Sequence, residues 1–117
     1  MSLQFQMCVL QHVLVVRLSG ELDHHTGKKL REVVDDALAK GEISDVVFNM
    51  EELTFMDSSG LGVMLGRYRR ITKNGGRLIF CSVQPAILRL MEMVGLCKLA
   101  TLYDSERIAV ASCEVAS

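Results

Sequence analysis

The sequence predicts an α/β fold, with an N-terminal β-hairpin leading into a mostly parallel sheet of four to five strands and about four helices. Two observations carry this. Short apolar runs of strand length alternate with stretches whose apolar residues recur at helical spacing. The order read along the chain is β-β-α-β-α-β-α-β-α, the alternation that builds an antiparallel start followed by parallel neighbours.

Residues 3–9 and 13–18 read as the hairpin strands, joined at Gln11-His12. The second, Val13-Leu14-Val15-Val16-Arg17-Leu18, is nearly continuous apolar, and Ser19-Gly20 is expected to end it. A helix follows, with Leu30, Val33, Val34, Ala37 and Leu38 on one stripe. Asp23 or Thr26 is its expected N-cap, because a short oxygen side chain satisfies the free N–H groups of a first turn. Lys40-Gly41 closes it, with a cation in the last turn and glycine just beyond.

Residues 46–70, VVFNMEELTFMDSSGLGVMLGRYRR, organise the rest of the chain. Val46-Val47-Phe48-Asn49-Met50 is β-branched and aromatic enough for a buried strand. Glu51-Glu52 is expected to stop it, leaving Leu53, Phe55 and Met56 in a loop. From Leu61 the period becomes helical: Leu61, Met64, Leu65, Tyr68 and Ile71 form one stripe. Asn74-Gly75-Gly76 ends that helix, and residues 77–81 read as the next strand. Pro85 suits the first position of a third helix. Its apolar face is Ile87, Leu88, Met91 and Val94, and Gly95 closes it. Residues 99–103 read as a short strand. Asp104 or Ser105 then caps a final helix carrying Ile108, Ala109 and Ala111. Without an internal repeat, low-complexity tract or linker, residues 1–117 read as one domain.

Composition narrows the function. A chain of 117 residues, half of them hydrophobic, suits one domain with a real core. Formal net charge is −1 and the cations are spread out, so no basic face points to direct nucleic-acid binding. No apolar run approaches the roughly 20 residues of a membrane span. The start, MSLQFQMCVLQ, lacks the basic opening and long apolar stretch of a secretory signal. Cys8, Cys81, Cys97 and Cys113 form no CxxC pair, and three lie in apolar context; they read as reduced thiols of a cytoplasmic protein.

Asp57-Ser58-Ser59-Gly60 falls where a helix begins, a place where backbone N–H groups point outward and favour negative charge. One cap suffices there, yet three oxygen side chains lie in a row. Phe55, Met56 and Leu61 flank them, so the hydroxyls sit in a patch suited to binding protein. His24 and His25 are adjacent and poorly spaced to share a metal, and His12 lies in a turn; neither metal nor cofactor is expected. Gly60, Gly62 and Gly66 raise the alternative of a small nucleotide-binding module. A dinucleotide fingerprint needs its glycines directly between strand and helix, and here a loop intervenes. The preferred reading is that Gly62 and Gly66 smooth a helix face for close packing, since glycine inside a helix costs about 1 kcal/mol and wants a packing reason. Asp57 stands where a serine-hydrolase elbow needs glycine, so no catalytic residue is assigned and the chain reads as no enzyme. Arg67, Arg69 and Arg70 read as a solvated helix face.

Asp57-Ser58-Ser59-Gly60-Leu61-Gly62, taken with Gly20-Glu21-Leu22-Asp23-His24-His25-Thr26, resembles the STAS-domain anti-anti-sigma factors. The second stretch points to their sporulation branch, and the resemblance covers the whole chain. It implies a compact β/α superhelix with strands in nearly sequential order and helices mainly on one face. The uninterrupted apolar strands call for cover on the other face as well. The resemblance also implies that Ser58, the first serine of the motif, is the phosphoacceptor, and that Asp23 helps engage the partner. Asp57, Ser58, Ser59, Gly60, Leu61 and Gly62 complete the expected partner-binding set. The implied partner is an anti-sigma factor that is also a serine kinase using ATP. Unphosphorylated chain would bind it and displace the sporulation sigma factor, phosphorylation of Ser58 would end binding, and a dedicated serine phosphatase would restore it.

Overall fold

A computed structural model describes residues 2–114; Met1 and residues 115–117, the two ends of the expected 1–117 domain, lie outside the described residues. One five-stranded sheet runs in the order β1-β2-β3-β4-β5. β1 (Leu3–Leu10) and β2 (Val13–Leu22) pair antiparallel across Gln11-His12. β3 (Asp45–Met56), β4 (Leu78–Cys81) and β5 (Thr101–Tyr103) follow as parallel neighbours. The connections hold α1 (His24–Ala39), α2 (Ser58–Lys73), α3 (Pro85–Met93) and α4 (Leu96–Leu99), and α5 (Glu106–Glu114) follows β5. The α/β class, the hairpin start and the sequential strand order agree with the sequence reading.

The strands read as continuous apolar runs because the sheet is covered on both faces. Leu14, Val16, Leu18, Val46, Phe48 and Phe80 face the layer of α1, α2 and α3, where Leu30, Val34, Met64, Ile71, Ile87 and Met91 meet them. Phe48 and Phe80 stack there with ring centroids 5.9 Å apart. Val13, Val15, Val47, Ile79 and Cys81 face the other way, onto Ala109, Val110 and Cys113 of α5. That face of α5 differs from the expected one: of the three expected residues Ile108 is 46% exposed and Ala111 is exposed, and Ala109 alone joins Val110 and Cys113 facing inward. The Arg17 guanidinium clamps the start of α5, donating to Glu106 at 2.8 and 2.7 Å, while Asn49 Nδ2 donates to the same carboxylate at 3.1 Å.

Two strands run further than their patterns suggest. β2 does not end at Ser19-Gly20, nor β3 at Glu51-Glu52; both continue, paired as Ser19↔Glu52, Gly20↔Leu53, Glu21↔Phe55 and Leu22↔Met56. The register slips between Arg17 and Ser19 and again between Gly20 and Glu21. Each slip breaks the two-residue alternation, so the pattern stops reading as strand while the ladder goes on. Gly20 sits at φ +105, and a Cβ there would run into the Ser2 carbonyl oxygen, so the continuation requires glycine. The pairing with β4 ends earlier, at Asn49↔Cys81.

Among the described residues there are five helices, because Gly95 in the left-handed region starts the short α4 directly after α3. α4 turns Leu96 into the core, fully buried, and leaves Val94, expected inside, 47% exposed.

Candidate functional site

Leu22 and Met56 face each other at the carboxyl ends of β2 and β3. The residue that follows each strand is an aspartate, and each aspartate caps a helix. Asp23 Oδ1 accepts from the Thr26 backbone N–H at 2.9 Å, while Thr26 Oγ1 accepts from the Asp23 N–H at 2.9 Å and donates to the Glu21 carbonyl. Both cap residues named from the sequence therefore act together, as a capping box. The Thr26 N–H holds the Asp23 carboxyl below its ordinary range. At the second start, Asp57 Oδ1 accepts from the Gly60 N–H at 3.0 Å. The Asp57 N–H donates to the Leu22 carbonyl at 3.3 Å and so stitches the two helix starts together.

Ser58 opens α2 and is exposed; Ser59 beside it is half-buried. Gly60 and Leu61 lie beneath them in the core layer, Leu61 at 6% exposure. A Cβ on Gly60 would stand 2.7 Å from Met56 Cγ and 2.8 Å from the Leu22 carbonyl oxygen. Glycine is what lets the first turn of α2 lie against the end of β2.

Gly62 and Gly66 do not serve close packing, contrary to expectation. A Cβ at either meets nothing within 4 Å. Both instead line an open groove of about 430 Å³ between α1 and α2, with Asp23, Lys28 and Arg31 from one helix and Ser59 from the other. The close approach of the two helices occurs at Gly27, where a Cβ would come 3.0 Å from Val63 Cγ2. Sequence reasoning missed Gly27; a glycine in the first turn of a well-capped helix is the available signal.

Arg67 is not solvated, as expected from its basic run, but 8% exposed. Its Nε lies 2.9 Å from Asp35 Oδ1, an ion pair whose angles fall short of a hydrogen bond, and Arg70 Nη1 approaches the same oxygen at 3.5 Å. Burial lowers the Arg67 pKa and the Asp35 charge opposes that. The signal was present: Arg67 falls between Met64 and Ile71 at the i+3, i+7 spacing of the buried stripe. Arg69 is exposed, as a solvated face requires.

Of the expected partner-binding residues, Asp23, Ser59 and Gly62 share the groove, Ser58 projects from the same turn, Asp57 is engaged in capping, and Gly60 and Leu61 support the surface from below. Among the described residues no group of three His, Cys, Asp or Glu gathers as a metal would require. Burial pushes the Cys81 thiol up to about 11 and raises Cys97 and Cys113 as well, the direction that disfavours the thiolate. Among the described residues no helix is long and apolar enough to cross a membrane.

Comparison with known proteins is consistent along the chain. The family model described as STAS domain matches residues 4–109. The anti-sigma F factor antagonist of Paenibacillus polymyxa is 46% identical over 117 residues, covering 100% of both chains. The anti-sigma factor antagonist SpoIIAA in its unphosphorylated form matches with TM-score 0.79 and 31% identity, over 95% of this chain and 98% of that one. The Bacillus cell fate determinant SpoIIAA in the phosphorylated form matches with TM-score 0.79 and 34% identity, over 94% and 99%.

Proposed function

This chain belongs to the STAS-domain family, among the anti-sigma factor antagonists, and on that premise we propose that Ser58 is the switch by which a partner kinase ends its binding. Unphosphorylated, the single domain of residues 1–117 binds an anti-sigma factor that is also an ATP-dependent serine kinase. It thereby releases a sporulation sigma factor in the cytoplasm of the forespore. The kinase then esterifies the Ser58 hydroxyl, and a serine phosphatase removes the phosphate to restore binding.

One observation carries this reading: Ser58 is exposed on the first turn of α2, where another enzyme can reach it, while Asp57 already caps the helix. A phosphoryl group adds roughly −1.5 to −2 charges. The positive end of the α2 dipole favours such a group by ~0.3–1 kcal/mol, so the fold tolerates it. SpoIIAA structures in both the unphosphorylated and the phosphorylated form match this fold. What changes is the surface. Asp23 and Asp57 already stand at the two helix starts, so phosphate concentrates negative charge and bulk beside the groove. One blocked contact at the centre of an interface costs upward of about 2 kcal/mol.

The test is to mix the chain with a candidate anti-sigma kinase and labelled ATP and locate the label by mass spectrometry. One phosphate on Ser58, with release of the sigma factor before labelling, is the expected result. Label on Ser59, or stoichiometric saturable binding of ATP or GTP by the isolated chain through its glycines, overturns it.

A further inference from the structure

We infer that the groove between α1 and α2 receives an acidic side chain of the anti-sigma factor, its carboxylate held by Lys28, Arg31 and Arg67. This rests on the reading above, in which that partner docks at the Ser58 turn. Charge is unevenly placed here. His24, Lys28, Arg31 and Asp35 recur at helical spacing on the side of α1 that meets α2. Among the described residues no carboxylate pairs with Lys28 or Arg31. Asp23 lines the groove at its helix-start end, roughly 12 Å along the axis from Arg31 at 1.5 Å per residue. That exceeds a Debye length of about 8 Å, so Asp23 does not neutralise the far end. The whole chain carries a net charge of −1, so this group of cations is not the by-product of a basic protein.

Arg67 is the independent sign of a missing anion. It lines the groove yet is only 8% exposed, and its buried Nε and Nη1 have no hydrogen-bond partner among the described residues. The one carboxylate beside it, Asp35, is shared with Arg70. Burial disfavours the charged form of Arg67, and the like charges of Arg31 and Arg70 add to that against Asp35. A second carboxylate entering beside Arg31 and Arg67 offsets the repulsion. Gly62 and Gly66 supply the room, since a Cβ at either meets nothing within 4 Å. The position favours a partner's side chain over a free ion. Ser59, on the same turn as Ser58, lines this groove, so a protein covering Ser58 also covers the groove mouth. A carboxylate tethered to that protein arrives at an effective concentration that a free anion lacks. The anchor also gives the switch its sign: phosphate on Ser58 sets roughly −1.5 to −2 charges beside the path of an incoming carboxylate.

Lys28→Glu and Arg31→Glu change exposed side chains, and the full chain carrying both is the test. Titration calorimetry should show its affinity for the anti-sigma factor reduced by about tenfold or more. Its melting temperature should hold or rise, because a glutamate at position 31 sets an opposite charge near Arg67 where a like one stood. Wild-type affinity should fall as sodium chloride rises from roughly 50 mM to roughly 500 mM, and the variant should lose most of that dependence. Exposed acidic residues of the anti-sigma factor are then replaced by lysine one at a time, and one replacement should restore binding to the variant. Wild-type affinity in the variant, or restoration at no position, overturns the inference. So does saturable binding of inorganic phosphate by the isolated chain that the variant abolishes, which would assign the groove to a free anion. A wild-type chain that does not bind the anti-sigma factor at all overturns the functional reading itself, and this inference with it.

Discussion

Replacing Gly62 by alanine should stabilise the chain and weaken its partner binding at once. An added methyl there meets nothing within 4 Å, so the substitution gains the helix-propensity difference without a clash. That difference is about 1 kcal/mol in a helix interior. For 117 residues it raises the melting temperature by roughly 3–6 °C. Gly60→Ala gains the same propensity, but its methyl would sit 2.8 Å from the Leu22 carbonyl oxygen and 2.7 Å from Met56 Cγ. The Met56 side chain can shift; the carbonyl belongs to the β2 backbone and accepts the Asp57 N–H, so it cannot move freely. Overpacking of this sort costs ~1–3 kcal/mol, and Gly60→Ala should therefore lower the melting temperature or leave it level. Binding separates the pair again. The Gly62 methyl enters the groove between α1 and α2, where it displaces whatever the partner inserts; a loss of about tenfold corresponds to ~1.4 kcal/mol. Scanning calorimetry reads the first effect and titration calorimetry with the anti-sigma factor the second. A lower melting temperature for Gly62→Ala would refute the open-space argument, and unchanged affinity would remove the groove from the docking surface.

Ser58→Ala should take up no phosphate from the kinase while keeping partner affinity within about twofold, measured by mass spectrometry and calorimetry; phosphate on the variant moves the acceptor elsewhere. Ser58→Asp should weaken binding, though less than phosphate does because a carboxylate carries one charge; wild-type affinity would count against the electrostatic account. Asp23→Ala removes the α1 cap and should cost ~1 kcal/mol in stability, and it should lower affinity as well; a lower melting temperature with normal binding would leave Asp23 purely structural. Hydrogen bonds from Arg17 and Asn49 hold the Glu106 carboxyl below its ordinary value of 4.5. Its contribution to stability is therefore complete above that value and is lost as pH falls through the lower folded-state value. Melting curves from pH 7 to about 3 should show the gap between wild type and Glu106→Gln closing toward the acid end; a gap that stays constant would separate Glu106 from the acid sensitivity.

Much of the fold was legible because local chemistry and tertiary need coincide. The nearly continuous Val13–Leu18 run and the uninterrupted Leu78–Cys81 run read as strands covered on both faces, and α5 supplies the second cover. Asp23, Asp57 and Pro85 mark helix starts that the structure keeps. The misreadings have a common origin in neighbours that no single stretch reveals. The 51–56 stretch reads as loop because two register slips break its alternation, yet β2 supplies partners for Glu52, Leu53, Phe55 and Met56. Spacing places Gly62 and Gly66 on one face of α2 but does not say whether anything stands opposite. Arg67 was assigned to water by its charge, although its position on the stripe carries it inward to Asp35. Ser58 and Asp23 were both singled out from sequence; that they ride adjacent strand ends is knowledge only the sheet order provides.

The unequal ladders flanking β3 have a mechanical consequence. Past Asn49 the strand keeps its pairing with β2 but loses β4, and its last residues are held from below instead, with Leu22 and Leu53 at 0% exposure and Met56 at 2%. Gln84 Nε2, donating to the Glu51 carbonyl at 2.7 Å, ties the strand just past that point to the start of α3. The Leu22 carbonyl and the Asp57 N–H join the two strand ends, so Asp23 and Ser58 are carried at a fixed spacing on an anchored base. A protein that grips both tips meets a ruler of fixed length.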